Sequence, residues 1–213
     1  MPQYLSTLEK SWFELHQHYH FSEPQKVFNK LIAAYSEKQR AYHTLQHLYE
    51  CLVLVDSIRA DLNDADAVAL ALWFHDAVYD PQAKDNELKS AELFEQYLAQ
   101  DLSFDIVQKI KRWILVTQKH EATNELDLQF LLDIDLAILA ASPERFTEYE
   151  QQIQQEYAWV YPDIYLIKRK QVLAHFYQTE PLYQTEYFQF FSTRHMLLTS
   201  QHFSQSVCSQ GHL

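Results

Sequence analysis

Ala65-Asp66-Ala67-Val68-Ala69-Leu70-Ala71-Leu72-Trp73-Phe74-His75-Asp76-Ala77-Val78 is the stretch on which the fold turns. Wound as a helix, it is apolar almost all round and has no face to offer solvent. A helix of that kind belongs at the centre of a helical protein. It is expected to run from about Ala65 to Val78, with Asp80-Pro81 ending it. The rest of the chain suits helical surroundings. Among 213 residues glycine occurs once, at Gly211, and proline six times. So little glycine leaves few positions for the positive-φ turns of hairpins, or for a glycine-rich phosphate loop. Helices joined by short polar loops remain, and the expected class is all-α, a single-domain bundle of roughly eight to ten helices.

Outward from the central stretch, amphipathic spacing places further helices at about Leu5 to Tyr19, from Ser22-Pro24, and at about Leu45 to Arg59. Beyond it they fall at about Asn86 to Gln100, Ser103 to His120, Leu128 to Ala140, Ser142-Pro143 to Tyr157, Asp163 to Tyr177 and Thr185 to Leu198. Glu37-Lys38-Gln39-Arg40 reads as a polar loop. Residues 1–203 are expected to form the domain, and 204–213 a frayed polar tail.

The formal net charge of -12 speaks against general binding to a nucleic-acid polymer, which needs clustered lysine and arginine. No apolar run has the length of a membrane span, and the start of the chain lacks the pattern of a signal peptide. Cys51 and Cys208 are far apart and form no motif, which fits reduced thiols and a cytoplasmic protein.

The informative residues are those that break the apolar pattern, because buried charge is costly unless paired or metal-bound. His75-Asp76 closes the most apolar helix. Asp133 and Asp135 lie inside Leu131-Leu132-Asp133-Ile134-Asp135-Leu136-Ala137-Ile138-Leu139. His43 and His47 lie four apart in Tyr42-His43-Thr44-Leu45-Gln46-His47, a spacing that puts two side chains on one side of a helix start. A single core histidine is more often hydrogen-bonded than metal-bound. Three apolar helices that each offer imidazole or carboxylate make a more specific signal. The mixed N/O donor set suits one divalent ion, with Mn, Mg, Zn, Ni, Co and Fe all compatible.

The order His47, His75-Asp76, Asp135 resembles the HD-domain superfamily of metal-dependent phosphohydrolases, over the motif region 42–139. The likeness is to bacterial members described only as predicted phosphohydrolases. It rests on Tyr42-His43-Thr44-Leu45-Gln46-His47, Trp73-Phe74-His75-Asp76-Ala77-Val78-Tyr79-Asp80-Pro81 and Leu132-Asp133-Ile134-Asp135-Leu136. The resemblance implies an HD-type bundle, with His47, His75, Asp76 and Asp135 as metal ligands. Its substrate would be a small phosphomonoester or phosphodiester, nucleotide-like. A homodimer is compatible with this reading.

Tyr42-His43-x-x-x-His47 is also similar to the Tyr-His-Asn-x-x-His signature of cyclic-nucleotide phosphodiesterases, with Thr44 in place of the asparagine. That similarity implies a general acid at His43, and Asp135-Leu136, which resembles the Asp-Leu at the last metal aspartate of those enzymes, favours Asp135 over Asp133 as ligand. In guanosine tetraphosphate hydrolases a Glu-Asp pair follows the His-Asp. Here it is Tyr79-Asp80, so Asp80 is a candidate base, and reads equally well as the turn residue before Pro81. Glu87 is a second candidate, its plain reading a helix-start acid. Thr117 and His120 are candidate substrate contacts. Two alternatives share the fold: a mixed-valent iron oxygenase, which needs further histidines between His75-Asp76 and Asp135, and a non-catalytic metal- or ligand-binding regulator.

Overall fold

The structure is a computed structural model, and it describes residues 4–190. Among these residues there are nine complete α-helices, two 3-10 turns, the start of a further helix and no strand. The helices are α1 Leu5–Tyr19, α2 Pro24–Ala34, α3 Leu45–Ser57, α4 Ala65–Phe74, α5 Asn86–Leu98, α6 Phe104–Val116, α7 Leu126–Asp135, α8 Pro143–Glu156 and α9 Pro162–Gln178. A further helical run begins at residue 186. The rest of the expected Thr185 to Leu198 helix and the 204–213 tail lie outside the described residues.

The helix α4 is the centre, as its composition predicts. All of it except Asp66 is buried, and α1, α3, α5, α6 and α7 pack around it. Trp73 and Phe74 are fully enclosed, and burying such a side chain contributes about 1.5–3 kcal/mol. The start of α4 is fixed by Asp64, whose side chain accepts from the Ala67 N–H at 3.0 Å, a helix N-cap. Asp64 is anchored in turn: its N–H and that of Asn63 donate to the buried Asp127 carboxylate.

The end of α4 differs from the expected Val78: it stops at Phe74. Side chains take carbonyls at the end of the helix and in the turn just after it. The Tyr35 hydroxyl reaches the Leu72 and Trp73 carbonyls at 3.4 and 3.3 Å. Arg40, only 5 % exposed, donates to the carbonyls of Asp76 at 2.8 Å and Ala77 at 3.2 Å, and to that of His43 at 3.0 Å. The chain therefore turns at His75-Asp76 instead of continuing, and both side chains face the space beside α3 and α7.

Three other boundaries shift for local reasons. The third helix ends at Ser57, and a 3-10 turn covers Arg59–Asp61. The helix expected to reach His120 ends at Val116; four turn residues follow, and His120 takes a left-handed backbone at φ 51°. The apolar run expected as one helix from Leu128 to Ala140 divides after Asp135 into α7 and a 3-10 turn, Leu136–Ala140.

The main core is joined by a smaller one made of Tyr42, Ile138, Leu139, Tyr149, Ile153 and Tyr165. The two meet where residues 42–47 pass residues 135–139. In α9 only Tyr165 is buried, and Ile164, Leu166, Ile167 and Tyr177 are at least half exposed. Among the described residues no helix is long and apolar enough to cross a membrane.

Candidate metal centre

At the seam of the two cores, donor atoms of His47, His75, Asp76 and Asp135 lie within 4.8 Å of one another. The two imidazole Nε2 atoms are 3.2 Å apart. His75 Nε2 is 3.0 Å from Asp76 Oδ2 and 3.4 Å from Asp135 Oδ1. His47 Nε2 is 3.5 Å and 3.2 Å from the same two oxygens. Neighbouring donors around one ion at His–N and carboxylate–O bond lengths of about 2.0–2.2 Å stand about 3.0–3.4 Å apart. The spacing thus fits a single divalent ion.

The tautomer agrees. His75 Nδ1 is 2.8 Å from the Leu72 carbonyl oxygen. A carbonyl only accepts, so Nδ1 carries the hydrogen and Nε2 turns a lone pair into the cluster. This is the arrangement that orients a metal-binding histidine. Two imidazole nitrogens facing each other beside two carboxylates need positive charge between them. Without an ion, protons meet that need: burial works against charge on His75, yet Asp76 and Asp135 hold its pKa well above the ordinary range. Burial raises the two aspartates, but the neighbouring histidines more than reverse it and hold both below the usual carboxylate range. Nearby Cys51 does not join the ligand set. Burial, with Asp135 and Glu50 adding to it, pushes its thiol well above the ordinary range, so it stays protonated.

The cluster has a closed and an open side. The His47 and His75 side chains are 3 % and 1 % exposed, whereas those of Asp76 and Asp135 are 16 % and 14 %. The imidazoles form the buried floor, and the carboxylates are the more exposed edge.

Asp133 and Asp135 have separate tasks. Asp133 faces away: its carboxylate accepts from the Gln184 N–H at 2.8 Å, the Thr185 N–H at 2.8 Å and the Thr185 hydroxyl at 2.6 Å. It fixes the start of the helical run at 186. Asp135, two residues on, sends its carboxylate into the cluster.

His43 is held beside the site by a residue that sequence reasoning missed. Its Nδ1 is 2.7 Å from Oε2 of Glu156, the last residue of α8. Glu156 Oε1 accepts from the N–H groups of Ala41, Tyr42 and His43 at 2.8, 2.8 and 3.0 Å. Its Oε2 also accepts from the Tyr79 hydroxyl at 2.7 Å, and the Tyr79 ring stacks on His43 at 4.1 Å. Burial opposes the Glu156 charge, but these donors and His43 bring its pKa down to about 2. Burial likewise opposes charge on His43, and Asp76 with Glu156 outweighs it, raising the His43 pKa. A signal for Glu156 existed: Tyr149, Ile153 and Glu156 are the buried residues of α8, spaced so that the glutamate falls on the apolar stripe. Arg40 had no such signal.

His120 also reaches the site, with Nε2 3.0 Å from Asp135 Oδ2. Its left-handed backbone costs about 1–2 kcal/mol for a non-glycine residue, and the turn so formed aims the imidazole at Asp135. The remaining candidates form their hydrogen bonds elsewhere. Asp80 Oδ1 accepts from the Gln82 N–H at 2.9 Å, the geometry of an Asx turn, and its own backbone is held by Asn86. Glu87 accepts from Gln118 at 3.1 Å. The Thr117 hydroxyl donates to the Ile114 carbonyl at 2.7 Å.

Comparison of the chain with models of known protein families, with curated proteins and with solved structures finds no match.

Proposed function

We propose that the chain is a metal-dependent phosphohydrolase of the HD type, acting on a small, nucleotide-like phosphomonoester or phosphodiester. The observation that carries this reading is the pairing of a four-donor cluster, its carboxylates on the more exposed side, with an adjacent imidazole fixed by a buried glutamate. The centres of the His43 and His47 rings are 6.0 Å apart. A divalent ion held by His47, His75, Asp76 and Asp135 would polarise a phosphoryl oxygen and lower the pKa of an attacking water.

The chain's own groups supply the rest. Glu156 occupies Nδ1 of His43, which leaves Nε2 as the atom that donates a proton to the leaving oxygen. A raised pKa suits that task, since the acid must be protonated near neutral pH. Tyr79, stacked on the ring, keeps it from rotating. His120 orients Asp135 from outside the cluster. Asp80 serves the turn after the site, so the water-orienting role does not rest on it.

A second reading has one observation in its favour. Asp135 offers Oδ1 to His47 and His75 and Oδ2 to His120, as a carboxylate bridging two ions would. Iron content with oxygen consumption would support an oxygenase instead. The test of the main reading is a hydrolysis screen over nucleotides and simple phosphoesters, with Mn²⁺, Mg²⁺, Ni²⁺ or Co²⁺ added and with chelator as control. Metal-dependent release of phosphate or nucleoside is expected. No turnover with any metal across the panel would count against it.

A further inference from the structure

Behind His43, on the far side of Glu156, lies a cleft of about 540 Å³, within the usual range of small-molecule sites, about 300–1,000 Å³. Its walls are the 38–39 loop and the 80–82 turn on one side, and Gln155, Glu156, Ala158 and Trp159 on the other. Glu156 forms part of its lining but has no capacity to spare, because both its oxygens are taken by five protein donors. The uncommitted groups are different ones. Trp159 is 53 % exposed, with the Tyr157 ring tilted toward it at 6.2 Å. The side chains of Lys38, Gln82 and Gln155 line the cleft and make no hydrogen bond or ion pair with another described residue.

That set has a definite chemistry. A half-exposed indole accepts a flat ring by stacking on the part not covered by Tyr157. Each glutamine amide offers a donor and an acceptor side by side, which matches the edge of a heterocycle. Lys38 and Asp80 balance in charge, and the Glu156 carboxylate is taken up by its five protein donors, so this part of a ligand need not be ionic. We infer that the cleft binds a nucleobase, stacked on Trp159 with its edge on Gln82 and Gln155. The choice of a nucleobase among flat polar rings rests on the phosphoester reading above. The stacking itself does not.

The site is one hydrogen bond from the proposed acid, since Glu156 links the cleft to His43. The base could therefore belong to the substrate or to a free nucleotide that acts on His43 through Glu156. Both sources share the same recognition.

The chain suits a direct test. Of its four tryptophans, Trp12, Trp73 and Trp113 are at most 4 % exposed, so ligand-induced quenching of indole emission reports on Trp159. The full-length chain is titrated with AMP and GMP, with ribose 5-phosphate as the control without a base. Saturable quenching by a nucleotide but not by ribose 5-phosphate is expected. By calorimetry, Trp159→Ala is expected to weaken nucleotide binding about tenfold, given typical base–indole stacking, with an unchanged circular dichroism spectrum. Equal binding of ribose 5-phosphate, no quenching by either nucleotide, or unchanged affinity in Trp159→Ala would overturn the inference. Where binding holds, competitive inhibition of hydrolysis identifies the substrate's own base, and a change in kcat alone identifies an effector. Base-dependent binding in a chain that hydrolyses no phosphoester would leave the cleft assigned and count against the hydrolase reading only.

Discussion

The Nδ1 of His43 and the Oε2 of Glu156 lie 2.7 Å apart, although 113 residues separate them in the chain. One buried carboxylate thereby fixes the imidazole, three backbone N–H groups ahead of α3 and the Tyr79 hydroxyl. Replacing Glu156 by Gln keeps the shape but loses the charge and one acceptor. The His43 pKa then falls, because Glu156 is among the groups that raise it. A general acid works while protonated, so the alkaline limb of the kcat profile should move to lower pH. Measuring kcat against pH for both proteins checks this; an unmoved alkaline limb would remove His43 from the role of acid.

The same carboxylate makes stability depend on pH. Its pKa is lowered in the fold to about 2 from an ordinary 4.5. A depressed acid stabilises the fold above its unfolded pKa, and that contribution is lost as pH falls toward the folded value. The contribution is about 3 kcal/mol at neutral pH. Urea midpoints should fall between pH 5 and pH 2 in the native chain, and the drop should be smaller in Glu156→Gln.

Asp133 and Asp135, two of the three aspartates of α7, give opposite outcomes. Asp133→Asn leaves the cluster intact but weakens three hydrogen bonds that start the next helix, at a cost of about 1–3 kcal/mol. Its thermal midpoint should fall by several degrees while metal binding persists. Asp135→Asn should do the reverse, staying folded and losing metal. Thermal shift with and without Mn²⁺ separates them: the ion raises the midpoint of the native chain and of Asp133→Asn, but not that of Asp135→Asn. The opposite pattern would exchange the roles assigned here.

Arg40 satisfies the carbonyls of Asp76 and Ala77, where the chain turns after α4, and that of His43 before α3. Arg40→Met leaves those carbonyls without their donor and should cost about 3–5 kcal/mol. In a chain of this size that is a fall of about 6–20 °C in Tm. Scanning calorimetry checks it, and a loss of less than 2 °C would mean that the guanidinium does not hold the turn.

Sequence alone placed the centre of the fold correctly because α4 has no polar face to hide. It picked out His75-Asp76 for the same reason, since a pair of ionisable groups there has no plain structural explanation. Asp133 and Asp135 could not be told apart by pattern, because both sit in one apolar helix and only tertiary partners show that one meets Thr185 and the other His75. Glu156 lies on the apolar stripe of α8, but that spacing alone does not name its partners, which lie 77 to 115 residues away. Arg40 looked like any loop arginine. The early ends of α4 and α6 were equally illegible, since each is imposed by contacts from distant segments or by a turn that no glycine marks.

The central claim is that His47, His75, Asp76 and Asp135 hold an ion on which phosphoester hydrolysis depends. The most direct measurement is metal content per chain, by mass spectrometry after loading and desalting, taken beside turnover for the native protein and His75→Ala. About one divalent ion per native chain, with both metal and turnover lost in His75→Ala, is the predicted result. Full metal-dependent turnover in His75→Ala, or turnover by a native chain that holds no ion, would contradict it.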